Sequence, residues 1–518
     1  MNAINPWSEA IAFPLLSSLM LVPLLATIAT VASRSTVMAL RFAFAGAASN
    51  LILSAYLLSV FNGAATGIQL MEQLQFAGMS YSVGVDGSNI LFVPLTAVLT
   101  FLILVYTLIT RHVSNKSFIT SLMAYETILI GAFTAMNIMQ FWLWTLLEIL
   151  PVLLLTINSG TGQNRGWVVS LFLQYWGSGL LMTLAGFLFL AFGLVGSDHD
   201  LTFDWLTLQE NNAYLHDETL IFILLFFGFA IRMPLFPFHG WLPLLAEHGT
   251  VASAAVFLVG LKLGLYALIR FILPLLPGVA EQWAGFVLTL GIISIFYGAL
   301  LALAQINLRR LLAFAAVSHA GILVIGAFCF NAFGLEGSLL LSVGYGLASA
   351  GLLLSVGLVY QRTRTTFMPR LGGLFDNNAT IALLFLIAAI SVMAMPGTPS
   401  FDATHLLVEG VIEEHGWLVA IAMVLGNVLA AAVLLRAFQQ SFIAHAKRLR
   451  HNARSSRYVV ITERSLALII CLLLIGTGYY TTPWLGFIDQ AAAAISKGFP
   501  IHASQLLDEA DVVPLEEQ

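Results

Sequence analysis

Charge is scarce in this chain. Lysine, arginine, aspartate and glutamate together make up 9% of its 518 residues, against about 25% in a soluble globular protein. That shortage excludes an ordinary water-soluble enzyme. The formal net charge of −5 offers no basic surface for nucleic acid. Cysteine is almost missing. Cys329 and Cys471 are the two present, and each sits inside an apolar run. They make no disulfide framework and no metal-ligand spacing, so they read as small packing residues. No glycine-rich fingerprint follows a strand, and no cysteine cluster suits iron–sulfur. No cofactor, no metal and no redox or hydrolytic site of the chain's own are therefore expected. No signal peptide is expected either. The N-terminus lacks a basic region, and its first apolar stretch, 11–33, is too long for one.

What fills the chain is apolar sequence. Hydrophobic residues make up 59% of it, and the mean hydropathy is +0.93. Runs of about twenty apolar residues recur along the whole length, each long enough to cross a hydrocarbon core as one helix. The expected fold is an all-α polytopic membrane protein. Its spans, about fourteen in number, lie near 11–33, 37–61, 89–110, 118–137, 139–157, 166–196, 219–245, 250–274, 283–304, 309–332, 336–360, 379–412, 417–440 and 464–484. Basic residues follow the odd-numbered spans: Arg34, Arg111, Lys116, Arg165, Arg309, Arg310, Arg362, Arg364, Arg370, and a cluster from Lys447 to Arg457. Span 7 is the one odd span without a basic loop after it. Loops after even-numbered spans carry acids such as Asp86, Asp198, Asp217, Glu281, Glu336 and Glu413. By the positive-inside rule the odd loops are cytoplasmic, and both termini face the periplasm of a bacterial-type inner membrane. The tail after about 485 is short, partly helical in composition and ends acidic, and it reads as a partly disordered surface segment.

Two spans are interrupted. Span 7 holds Pro234-Leu235-Phe236-Pro237, and span 12 holds Pro396-Gly397-Thr398-Pro399. Proline removes a helical hydrogen bond, and the freed backbone needs protein or a wet cavity. The breaks are five spans apart. Five is odd, so two five-helix units would be inverted, the arrangement that marks an ion pathway. This divides the chain into 1–117, with spans 1–3; 118–274, with spans 4–8; 275–440, with spans 9–13; and 441–518, with the basic loop, span 14 and the tail.

Ionisable groups within spans are costly and usually functional. Glu148 follows the run Phe141–Leu147, and Arg232 precedes the first break. An ion pair between the two is the expected way to hold both in the interior. Lys262 lies about twelve residues from each end of span 8, too deep for easy snorkelling. Its ammonium can load and release a proton as its surroundings change. His319, about ten residues inside span 10, suits proton relay. Asp402, His405 and Glu409 fall on roughly one helix face and can make a polar way out. Glu126 has no obvious partner, and His239 follows the first proline pair at the possible mouth of a cavity. The plainer alternatives are helix kinks, a snorkelling lysine and structural histidines.

Several stretches resemble a known family. Ile231-Arg232-Met233-Pro234-Leu235-Phe236-Pro237-Phe238-His239-Gly240-Trp241-Leu242-Pro243 is similar to the span 7 signature of the antiporter-like membrane subunits of respiratory complex I. Leu311-Leu312-Ala313-Phe314-Ala315-Ala316-Val317-Ser318-His319, Gly344–Gly351 and Met395-Pro396-Gly397-Thr398 continue the likeness, which runs from about 90 to 440. The lysine in span 8 makes it most similar to the subunit M type. The resemblance implies fourteen helices, a proton channel along a central polar axis, and membership of a larger membrane assembly. Carried over by position, Glu148, Lys262 and His319 fall on the family's functional acid, central lysine and histidine. Three positions depart from the pattern. Arg232 stands for a lysine and keeps its charge at any attainable pH. Tyr345 stands for a histidine, and Thr404 for the acid of span 12.

The expected function is proton translocation within a complex I-like assembly, with other membrane subunits, the bilayer and protons or small cations as partners. Two alternatives stay open: a subunit of an inorganic-carbon uptake or cation/proton antiport complex, and a non-conducting structural paralogue.

Overall fold

The computed structural model of the chain describes residues 13–76, 79–109, 115–160, 164–195, 201–212, 215, 217–249, 260–445 and 457–499. Among the described residues, eleven helices are long and apolar enough to cross a bilayer. Three early spans, α1 (Leu15–Ala32), α2 (Thr36–Val60) and α3 (Phe92–Ile109), precede α4 (Lys116–Thr134). Next come α5 (Ile138–Leu147) and α6 (Ile149–Ser159), one span bent at Glu148, and then α7 (Arg165–Val195). The bend has a local cause. Pro151 has no N–H to give the carbonyl of Leu147, four residues earlier.

After the short α8 (Trp205–Glu210), the first interrupted span runs as α9 (Glu218–Arg232), a turn through the two prolines, and α10 (Trp241–His248). The next read span, 250–274, begins outside the described residues. Its described part is α11 (Lys262–Ala267), which passes into a π turn over Leu268–Ile272. Three long helices follow: α12 (Pro277–Ala304), α13 (Leu308–Ala327) and α14 (Ala332–Thr363). The second interrupted span is α15 (Ala379–Val392) and α16 (Pro399–His415), and the last long helices are α17 (Trp417–Phe438) and α18 (Arg457–Tyr479). The spans read at 219–245 and 379–412 are thus interrupted, and the span read at 250–274 is described only from residue 260.

The interior of the bundle is made by α13 and α14, each 94% buried over its spanning window, whereas α17 and α18 are 28% buried. Exposed Leu418, Leu425, Val428, Leu468 and Leu472 on that outer pair suit contact with lipid. Asparagines start several helices. Asn137, Asn307 and Asn331 accept hydrogen bonds from the first turns of α5, α13 and α14, satisfying donors that a helix start leaves free.

Two segments differ from the sequence reading. Gln69–Phe76 (β1) and Met79–Val85 (β2) pair as an antiparallel hairpin between α2 and α3, in a stretch read only as a loop. Glu72 in the hairpin accepts the backbone N–H of Leu16 at 2.7 Å, which ties it to the start of α1. The segment after 485 has the helix that its composition suggested, but it is packed rather than loose as far as Phe499. Thr482–Ser496 forms a helix, α19, which packs on α14 and buries Ile488 and Ala492. The acidic end from 500 to 518 lies outside the described residues.

Candidate proton pathway

Glu148 sits at the bend between α5 and α6 and is 0% exposed. Its Oε2 is paired with Arg232 at the end of α9, and its Oε1 accepts from the Tyr125 hydroxyl of α4 at 2.7 Å. The Arg232 guanidinium lies 4.8 Å from the ring centre of Trp176 on α7, a cation–π contact. Four helices therefore meet at one buried charge pair.

Lys262 opens α11 and is buried. Gly260, two residues earlier, lies against the pair. A Cβ on Gly260 would stand 2.0 Å from the Tyr125 hydroxyl and 2.5 Å from Glu148 Oε1. On its other side the Lys262 ammonium lies 4.6 Å from the ring centre of Tyr345 on α14. The same tyrosine ring stacks on the His319 imidazole, with ring centres 3.5 Å apart and planes 11° apart. Tyr345, one of the three positions read as departures from the family pattern, thus joins Lys262 to His319.

His319 is held by its helix. The Ser318 hydroxyl donates to the carbonyl of Ile295, and the Ser294 hydroxyl donates to that of Val317, at 2.9 and 3.0 Å. These reciprocal bonds lock α13 on α12. His319 Nε2 has no hydrogen-bond partner among the described residues, and His319 lines a cavity of about 460 Å³ with Thr404, His405, Glu409, Glu413 and Asn427. His405 Nδ1 stands 3.9 Å from Glu409 Oε2, and both side chains are largely exposed at the outer edge of α16. Asp402 is not with them. It accepts from Thr481, at the start of α19.

The secondary residues separate. Glu126 is buried and has a partner that the sequence did not suggest, Asn50 on α2, whose amide donates to it at 2.8 Å. His239 is buried among the rings of Phe236, Tyr297 and Phe314. Pro234 and Pro237 end α9, while Pro396 precedes and Pro399 opens α16. Sequence reasoning missed Tyr125, Trp176 and Asn50. Each is a neutral side chain inside an apolar run, and only the fold brings it to a charge.

A multi-pass helical bundle with two interrupted spans and a buried acid–base line between them defines the antiporter-like class of membrane proteins. The chain belongs to the NADH:quinone oxidoreductase/Mrp antiporter transmembrane family, which it matches over residues 135–430, more than half its length. NADH-quinone oxidoreductase subunit M of Rickettsia bellii is 31% identical over 396 residues, covering 75% of this chain and 78% of that protein. The subunit M of Rhodobacter capsulatus is 29% identical over 464 residues, covering 86% and 88%. Among solved structures, a chain of respiratory complex I from Thermus thermophilus superposes with a TM-score of 0.83 at 26% identity, covering 93% of this chain and 99% of that one. A chain of the Mrp complex from a Dietzia species shares the fold, with a TM-score of 0.82 at 19% identity and 93% and 98% coverage.

Proposed function

We propose that the chain is a proton-translocating membrane subunit of an NADH-quinone oxidoreductase-type assembly in a bacterial-type inner membrane, with both termini on the periplasmic side. The observation that carries this reading is a buried Glu148–Arg232 pair against Gly260, two residues before a buried Lys262 that lies over the Tyr345 ring, which in turn stacks on His319 at its cavity. Relatives that carry the name NADH-quinone oxidoreductase subunit M support the assembly.

Lys262 takes up a proton from the cytoplasmic side. Arg232 keeps its charge, so it acts by position. When Glu148 is drawn onto Arg232, its negative charge is neutralised and Lys262 holds its proton less firmly. When the pair loosens, Glu148 stabilises the ammonium. Tyr345 holds the ammonium against its ring and His319 on the same ring, and the imidazole relays the proton into the cavity. His405 or Glu409 then takes it outward, with Thr404 as a hydrogen-bonding wall.

An inverted repeat of spans 4–8 and 9–13 fits this scheme, and three pairs of features support it. Asn137 bridges to Asp204 before the first unit's second helix, as Asn307 bridges to Phe367 before the second unit's. A π turn ends each unit, at Leu268–Ile272 and Gln439–Ile443. Glu148 and His319 follow their asparagine caps by eleven and twelve residues.

The test is proton flux in liposomes holding a pH-sensitive dye. Lys262→Ala is expected to abolish flux that depends on the protein, and unchanged flux would remove the mechanism. Thr404 and Arg232, which do not exchange protons, favour one other reading, a structural subunit that does not conduct. In that case the unaltered chain would show no flux to lose.

A further inference from the structure

The mechanism leaves a second buried charge pair unused. Arg270, in the π turn that follows α11, is paired with Asp86, which follows the hairpin. Its guanidinium lies 3.9 Å from the ring centre of Trp205, whose indole N–H donates to the carbonyl of Arg270 at 3.0 Å. This pair lines a cavity of about 110 Å³ together with Thr66, Gln209 and Gln490. Water needs roughly 10–15 Å³ of such space per molecule, so the cavity takes several. Two polar atoms in its wall, Arg270 Nε and Gln209 Oε1, are buried without a hydrogen-bond partner among the described residues. Arg270 is 3% exposed.

Lys262, Tyr266 and Arg270 stand four residues apart along one segment, which puts them near one face of it. Eight residues of helix span about 12 Å. Tyr266 stands between the two charges. It is 0% exposed, with its ring against Phe92 and Phe133 and its hydroxyl beside the Asn89 side chain. An aromatic plug with one polar atom thus separates Lys262 from the cavity at the hairpin end.

We propose that the first five-helix unit has its own polar outlet, which runs from Lys262 past the Tyr266 hydroxyl to the Arg270–Asp86 cavity, with Tyr266 as its gate. The inference rests on the pathway through Lys262 argued above. The Tyr266 oxygen accepts a proton that leaves the Lys262 ammonium and releases its own to cavity water. One proton moves, and the hydroxyl is restored. The Arg270–Asp86 pair then keeps the cavity polar and holds it against the hairpin.

The experiment compares flux through the full chain in its native membranes, together with thiol labelling. Tyr266→Phe keeps the ring and removes the hydroxyl, and it is expected to lower flux to the share that leaves by way of His319, and to abolish it in combination with His319→Ala, with the amount of protein in the membrane unchanged. Gln209→Cys, with Cys329 and Cys471 changed to alanine, is expected to react with a small membrane-impermeant methanethiosulfonate applied on the hairpin side. Normal flux in Tyr266→Phe while Lys262→Ala is inactive would overturn the outlet and leave the pathway standing. Normal flux in Lys262→Ala would overturn both. If Tyr266→Phe does not accumulate, labelling decides: a Gln209→Cys thiol that reacts only after denaturation overturns the outlet.

Discussion

Glu148 is the residue on which the buried line turns. It accepts from Tyr125, pairs with Arg232 and lies against Gly260, so its removal acts in two ways. Glu148→Gln leaves the Arg232 charge buried without its counter-charge, a defect that costs about 3–5 kcal/mol. Thermal unfolding in mild detergent is expected to show that loss, and the double change Glu148→Gln with Arg232→Gln is expected to recover part of it without recovering flux. Gly260→Ala pushes a methyl group into the Tyr125–Glu148 contact. The expected cost is about 1–3 kcal/mol, the usual range for overpacking, and flux is expected to fall even where the fold survives. These contacts were unevenly legible. Glu148, Arg232 and Lys262 stand out as charges in apolar runs, and the cost of burying them points to partners. Asn50 and Tyr125 carry no such signal, because a neutral side chain in a span is common and its role depends on which helix packs opposite.

At the scale of elements, the two interruptions do the positioning. The first brings Arg232 to the end of α9, facing the bend of α5 and α6, and the second starts α16 beside the His319 cavity. The second break turns at Gly397, with φ +83° and nothing within 4 Å of where a Cβ would stand. Gly397→Ala therefore meets backbone strain alone, about 1–2 kcal/mol. Gly416, with φ +78° and equally open space, is the control. Both alanine variants are expected to lower the unfolding temperature, and Gly397→Ala alone to slow flux. The proline pairs made both breaks readable from sequence. The hairpin was not readable. Its alternation, seen in Tyr81-Ser82-Val83-Gly84-Val85, is short and lies between far stronger apolar runs. The packing of the helix Thr482–Ser496 escaped for a related reason: it is too short to span and buries only a narrow face on α14.

Across the whole molecule, the most buried helices, α13 and α14, carry His319 and Tyr345, and the outer helices α17 and α18 are the least buried and carry apolar side chains outward. That distribution is what a bilayer imposes on a chain that must hold charge inside it. Glu148–Arg232, Lys262, Tyr345 and His319 form one buried line, and the account holds that a proton travels along it by way of the Lys262 amine. The most direct test is Lys262→Arg. The charge, its length and its place over the Tyr345 ring are kept, but a guanidinium does not release its proton. Dye-reported flux in liposomes is expected to fall as far as in Lys262→Ala. Flux equal to that of the unaltered chain would contradict the account, because it would show that a fixed positive charge is all the site requires.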